Sequence, residues 1–411
     1  MPFPTESPFR IDQVMEAPWL MGALFSLQLL AAIGMTVTAT RRRQLWWAVL
    51  LVFMLATTLF FTLSCWGTSD ITKLNHFMDP VLAQESSLRN LLPAAPFWWV
   101  LAPVVVAMPY RMALVHGLVA ALYAWLGVSL ARAWRVRAWG GWFALLIVTS
   151  PMLRGFLQNA HTRQALAALL AVPLFLTSAG LLRRRGLAVV ASAGVALTVH
   201  LAAVPTLGLA ILPLGVPSTN EIHGLPSLRP CRRSSWESML RLALVIIATV
   251  VLAAVLFPPM FSKVLVYAQQ HSFYSSYPVK PVVLRGEVAL LAGVLITCLR
   301  KGIGLEQFVR CRWSQLLCLF VALYALIQLS IVWRILPQIT FRFADVVGLF
   351  LLLIALKWFR HYQSLWLLLP LLLNGLLVWG KQVWAPSGLD CGADDDFLCI
   401  PDRLPWLIRY D

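Results

Sequence analysis

Residues 18–65 read PWLMGALFSLQLLAAIGMTVTATRRRQLWWAVLLVFMLATTLFFTLSC. Two apolar blocks, Pro18 to Thr40 and Leu45 to Cys65, flank Arg41, Arg42 and Arg43. A straight helix needs ~20 apolar residues to cross the ~30 Å hydrocarbon core of a bilayer, and each block supplies about that many. Short cytoplasmic loops are enriched in Lys and Arg, so the arginine triplet marks a cytoplasmic turn. The stretch predicts a helical hairpin through a membrane.

The same alternation fills the chain. Of its 411 residues 60% are hydrophobic and 12% charged, against ~45–50% and ~25% in soluble domains. A soluble enzyme, a coiled coil and a disordered scaffold are excluded. The 33 Lys+Arg exceed the 17 Asp+Glu by 16. On a soluble protein that excess would suggest nucleic acid, but here the cations cluster between apolar blocks and read as topology, so no nucleic-acid partner is expected. The seven cysteines form no CxxC or CxxC…H pattern, and neither a metal nor another cofactor is expected. No P-loop or dinucleotide fingerprint is present, which leaves ATP-driven transport without a basis.

Later clusters at Arg132/Arg135/Arg137, Arg183/Arg184/Arg185, Arg229/Arg232/Arg233/Arg241, Arg300/Lys301/Arg310/Arg312 and Lys357/Arg360 can all be placed inside. Parity then allows one crossing between the outer stretch at Asp70 and Arg132. Pro93, Pro96, Pro103 and Pro109 disfavour a continuous helix over Ala94 to Pro109, which is read as interfacial or re-entrant, and Met112 to Leu130 as the third span. Further spans are placed at 142–153, 164–182, 187–203, 204–216, 239–257, 288–299, 314–333, 344–357 and 364–380. The expected class is all-α, a polytopic membrane protein of about twelve spans surrounded by membrane lipids. It comprises a flexible or interfacial arm at 1–17, the membrane domain at 18–380 and a non-cytoplasmic tail at 381–411. Both termini are outside, and in the tail Cys391 and Cys399 flank Asp394, Asp395 and Asp396, a pair suited to a disulfide on the oxidising side.

Cations at outer span ends are not needed for topology. Arg154, Arg163, Arg285, Arg334 and Arg342 fall there and imply a cationic vestibule for an anionic ligand. In NAHTRQALAALLA, Asn159 and Arg163 share a face if the helix starts early enough, beside Gln164. Arginine's planar fork suits phosphate, although Arg163 also fits a side chain snorkelling to the interface. His200, in ALTVHLAAVP, stands ~21 Å across the core at ~1.5 Å per residue from Gly186. It fits a proton acceptor or a histidine bonded to a nearby carbonyl. Asp70 in CWGTSD fits a proton acceptor or a helix cap. Arg342 and Asp345 are three apart and can pair. The outer loop YAQQHSFYSSYPVKP at 267–281 is rich in groups that suit sugars or ordinary interface belts.

These motifs resemble those of the EpsG-like, Wzy-type polysaccharide polymerases. The likeness rests on Gly67-Thr68-Ser69-Asp70, on Asn159 before His161-Thr162-Arg163-Gln164-Ala165-Leu166-Ala167, on His200, and on Arg342. It covers about residues 45–360 in order and topology. The first motif is one residue longer than usual in the family. The tyrosine that usually follows it is replaced by Ile71, Thr72 and Lys73. The resemblance implies a GT-C-like glycosyltransferase. It would join lipid-linked oligosaccharide repeat units, with polyprenyl diphosphate donor and acceptor, on the periplasmic or outer face of a bacterial cytoplasmic membrane. A chain-length regulator is an optional further partner. His200 is then the expected general base, with Asp70 as second choice. Arg163, Gln164, Asn159, Arg342, Arg334 and Arg285 are the expected substrate-binding set. Two alternatives stay open: a GT-C transferase using a lipid-monophosphate sugar donor, and a non-catalytic lipid-linked glycan flippase or exporter.

Overall fold

In the computed structural model the described residues are 18–39, 43–64, 96–133, 137–149, 157, 161–181, 186–200, 203–216, 285–332, 337–362, 369–370 and 372–373. They are helical nearly throughout and include no strand. The arm 1–17, the tail 381–411, the loop 267–281 and the stretch 239–257 lie outside them. The chain divides into two units, Met1–Leu166 with Leu371–Asp411, and Ala167–Pro370.

In the first unit, α1 Pro18–Thr38 and α2 Arg43–Ser64 form the hairpin expected from residues 18–65. After them come α3 Pro96–Ala107, α4 Arg111–Ala133 and α5 Ala138–Thr149. The helices α1, α2, α4 and α5 pack in a closed order, each touching the next and α5 returning to α1, while α3 lies on α4. Small residues set the spacing. A Cβ on Gly117 of α4 would fall on the Thr58 carbonyl and Thr62 hydroxyl of α2. A Cβ on Gly141 of α5 would lie 2.6 Å from the Thr36 backbone nitrogen of α1. Such approaches are how helices associate where lipid tails remove the hydrophobic incentive. At the far end of α4, Arg132 stands over the rings of Trp47 at 5.1 Å and Trp125 at 5.4 Å. Thus α2 and α4 run antiparallel, and Arg132 shares one end of the unit with the Arg43 start of α2.

Outward faces are apolar too. On α1, Leu27, Leu30, Ile33 and Val37 are exposed while Leu24, Phe25, Ala31 and Met35 are buried. Helices apolar on both faces suit lipid rather than water. The segments Gln44–Leu63 and Arg111–Arg132 are long and apolar enough to cross a membrane.

One expectation needs correction. The prolines of the 94–109 stretch do not prevent a helix, since α3 runs from Pro96 with Pro103 inside it. Pro96 stands first, where a missing N–H loses no intrahelical bond, and Pro103 removes a single interior one. At ~1.5 Å per residue α3 is about 18 Å long, short of the ~30 Å core.

The helix α6 Thr162–Ser178 begins in the first unit and continues into the second. There follow α7 Gly186–Val199, α8 Ala203–Ile211 with a 3-10 turn at Leu212–Gly215, and α9 Arg285–Lys301. The last described helices are α10 Leu305–Arg310, α11 Arg312–Val332 and α12 Pro337–Tyr362. Every residue of α12 from Val346 to Leu356 is buried, as befits a helix apolar all round. Its Phe350 stacks on Phe175 of α6 at 4.2 Å, and Phe320 of α11 meets Phe175 edge-on at 5.6 Å. Each such pair is worth ~0.5–1.5 kcal/mol beyond its buried area. The end of α6 is closed by Gly180 at φ +74, with the Leu181 amide bonded to the Leu176 carbonyl at 2.7 Å. Arg312 then donates to the carbonyls of Ser178 and Pro213, both at 3.4 Å. It joins the ends of α6 and of the turn after α8 to the start of α11.

Candidate anion-binding site

On one face of α4, His116 and Tyr123 are seven residues apart and fully buried. The Tyr123 hydroxyl donates to the Ala165 carbonyl at 2.9 Å. His116 Nε2 lies 2.6 Å from the Leu157 carbonyl, and Nδ1 lies 2.9 Å from Thr162 Oγ1. A carbonyl only accepts, so Nε2 carries the proton, and in the neutral ring Nδ1 accepts from the Thr162 hydroxyl. Phe61 meets the His116 ring edge to face at 6.2 Å. Together these bonds hold the amino end of α6 against α4.

That first turn consists of Thr162, Arg163 and Gln164. Thr162 and Gln164 are buried and Arg163 is half-buried. The Ala165 amide bonds to the His161 carbonyl at 2.8 Å, so the chain enters the helix at His161. The first N–H groups of a helix have no intrahelical acceptor, and its dipole is positive there. A guanidinium in the same turn adds paired donors. The chemistry suits phosphate or diphosphate.

Sixteen residues of α4 separate His116 from Arg132, about 24 Å at ~1.5 Å per residue. The α6 turn therefore lies toward the end of the first unit opposite Arg132. Arg111, the first residue of α4, marks that same end. It and Tyr110 take φ +43 and +58, a left-handed backbone that costs side-chain-bearing residues about 1–2 kcal/mol each.

Of the substrate-binding residues expected from sequence, Arg163 and Gln164 are brought together in one turn. Asp70, Asn159 and Arg334 lie outside the described residues. The helix α6 starts at Thr162. Arg285 opens α9, and its side chain is not described. Arg342 is the sixth residue of α12, which starts earlier than the 344–357 span; its side chain is likewise outside the described set. Asp345 is half-buried one turn further along.

His200 belongs to the second unit. The helix expected to continue to residue 203 stops at Val199, and α8 begins at Ala203. The His200 amide bonds to the Ala196 carbonyl at 3.3 Å, and its own carbonyl accepts from Ala203 at 2.9 Å. Pro205 explains the break, since its ring would clash with the carbonyl four residues earlier in a continuous helix. His200 is thus a half-buried residue at a helix junction.

His116, Tyr123 and Arg111 were not singled out from sequence. A usable signal for the first was a histidine deep in an apolar run, followed at once by glycine. Among the described residues no group of three or more His, Cys, Asp or Glu is placed to hold a metal ion. No protein-family model, curated protein or solved structure matches the chain.

Proposed function

We propose that the chain is a membrane glycosyltransferase that polymerises lipid-diphosphate-linked oligosaccharide repeat units on the outer face of a cytoplasmic membrane. The observation that carries this reading is the amino end of α6, where buried His116 and Tyr123 fix the turn that bears Arg163 and Gln164. Its location away from Arg132 along α4 supports an outer placement, because basic clusters favour the cytoplasmic side. A GT-C-like arrangement of about twelve spans is part of the same proposal.

In the reaction, an acceptor hydroxyl attacks the anomeric carbon of the donor. The bond from that carbon to the diphosphate oxygen breaks as the new glycosidic bond forms. Arg163 and Gln164 take the charge growing on the leaving diphosphate, which is where preorganised donors contribute most. Asn159, Arg342, Arg334 and Arg285 complete the proposed binding set. His200 is the proposed base for the hydroxyl proton, with Asp70 as second choice.

Purified protein in liposomes, supplied with a lipid-diphosphate-linked oligosaccharide, tests the proposal. Polymer should form and be resolved by length on a gel. Arg163→Lys keeps the charge but loses the fork, so the polymer should shorten sharply. Movement of the lipid-linked substrate across the bilayer without elongation would mark a flippase instead.

A further inference from the structure

The described residues of the first unit include no Asp or Glu, so every formal charge among them is positive. Several of these cations share the end marked by Arg132. Arg43 opens α2, Arg132 stands in the last turn of α4, and exposed Arg137 precedes α5, its carbonyl accepting from the Gly140 amide at 3.0 Å. Arg41, Arg42 and Arg135 are their neighbours in sequence. Arg132 is itself exposed. Its guanidinium lies over the rings of Trp47 and Trp125, whose centroids are 6.2 Å apart and whose planes are tilted by 38°. Aromatic faces hold a guanidinium through its charge but offer no oxygen to its N–H donors. A guanidinium fixed in this way, with no carboxylate among the described residues of its unit, suits a phosphate.

The outward face of α4 leads away from Arg132 as one stripe. Leu118, Leu122, Trp125, Ser129 and Arg132 are exposed, at spacings of four, three, four and three, and every residue between them is buried. Ser129, the polar member, returns its hydroxyl to the Trp125 carbonyl at 3.1 Å, which leaves the stripe apolar in character. The ten residues from Leu122 to Arg132 span ~15 Å at ~1.5 Å per residue, half of a ~30 Å core and thus one leaflet. On α2, Leu51 and Leu55 are exposed one and two turns on from Trp47.

We propose that this face seats an anionic phospholipid, with its phosphate on Arg132 and an acyl chain along Trp125, Leu122 and Leu118. The inference rests on the membrane reading of the chain and not on the proposed reaction, whose Arg163 turn lies toward the other end of the unit. Positive charge without a counter-charge favours a headgroup with net negative charge over a zwitterionic one. The apolar stripe favours a lipid over free phosphate, which has no chain to lay on it. The two indoles stand at the boundary between headgroup and chain, where such rings are enriched.

The test is native mass spectrometry of the full chain in detergent, titrated with phosphatidylglycerol and, in parallel, with phosphatidylcholine. Wild type should retain its first phosphatidylglycerol at the lower lipid concentration, and inorganic phosphate at matched concentration should not displace it. Arg132→Ala should raise the phosphatidylglycerol concentration required by about fivefold, the effect of one cation beside an anionic leaflet. Arg132→Lys keeps the charge but loses the planar fork, so its loss should be smaller. Trp125→Leu keeps the face apolar, removes one of the two rings under the guanidinium and should also weaken retention. Arg300→Ala removes an exposed cation of the second unit and should leave the first lipid's affinity unchanged. Arg132 and Trp125 are exposed, so the variants should unfold at the wild-type temperature. Equal retention by wild type and Arg132→Ala, an equal loss in Arg300→Ala, no preference over phosphatidylcholine, or displacement by inorganic phosphate would each overturn the proposal.

Discussion

At His116 both ring nitrogens are committed, one to the Leu157 carbonyl and one to Thr162. His116→Leu keeps the apolar bulk but strips both partners of their hydrogen bond inside the unit. A buried polar group left without its bond costs ~1–3 kcal/mol, so the variant's thermal unfolding in detergent should begin at clearly lower temperature. The α6 turn should also loosen, weakening donor binding. An unchanged unfolding curve would show that the clamp is not structural. The roles of Arg163 and His116 differ in how visible they are in sequence. Arg163 stands out because a cation at the opening of an apolar run has few structural reasons to be there. His116 looks like any core histidine, and only the packing of α4 on the start of α6 reveals what it holds.

Among the helices, α2 and α4 touch where Gly117 leaves room for Thr58 and Thr62. Gly117→Ala must push these helices apart, whereas Gly194 of α7 has nothing within 4 Å of an added Cβ. Gly117→Ala should therefore lower the unfolding temperature. Gly194→Ala should leave it unchanged or raise it, since alanine favours a helix by ~1 kcal/mol over glycine. Equal effects from the two would refute the close approach. Most of these helices were legible from the apolar blocks between arginine clusters: α1, α2, α4, α6 and α11 fall close to the expected spans. Several boundaries were not, the start of α12 at Pro337 instead of 344 among them. Proline was weighed as a breaker in α3, yet Pro96 occupies the position that tolerates it, while the break between α7 and α8 comes four residues earlier than expected because Pro205 acts backward on the preceding turn.

For the whole chain, the positive-inside expectation is that the two termini lie outside and Arg183 to Arg185 inside. Reporter fusions made after Arg185 and after Asp411 should therefore report opposite sides of the membrane, and finding both on one side would overturn the span order. The structure brings Arg132 to the same end of the first unit as the start of α2, and the turn bearing Arg163 lies about 24 Å away along α4 at ~1.5 Å per residue. The most direct measurement is polymer formation by the purified chain in liposomes carrying a lipid-diphosphate-linked oligosaccharide, with wild type and Arg163→Ala side by side. Wild type should yield long polymer, and Arg163→Ala, equally folded and inserted, almost none. Absence of polymer from wild type, or normal polymer from Arg163→Ala, would contradict the proposed function and its diphosphate site respectively.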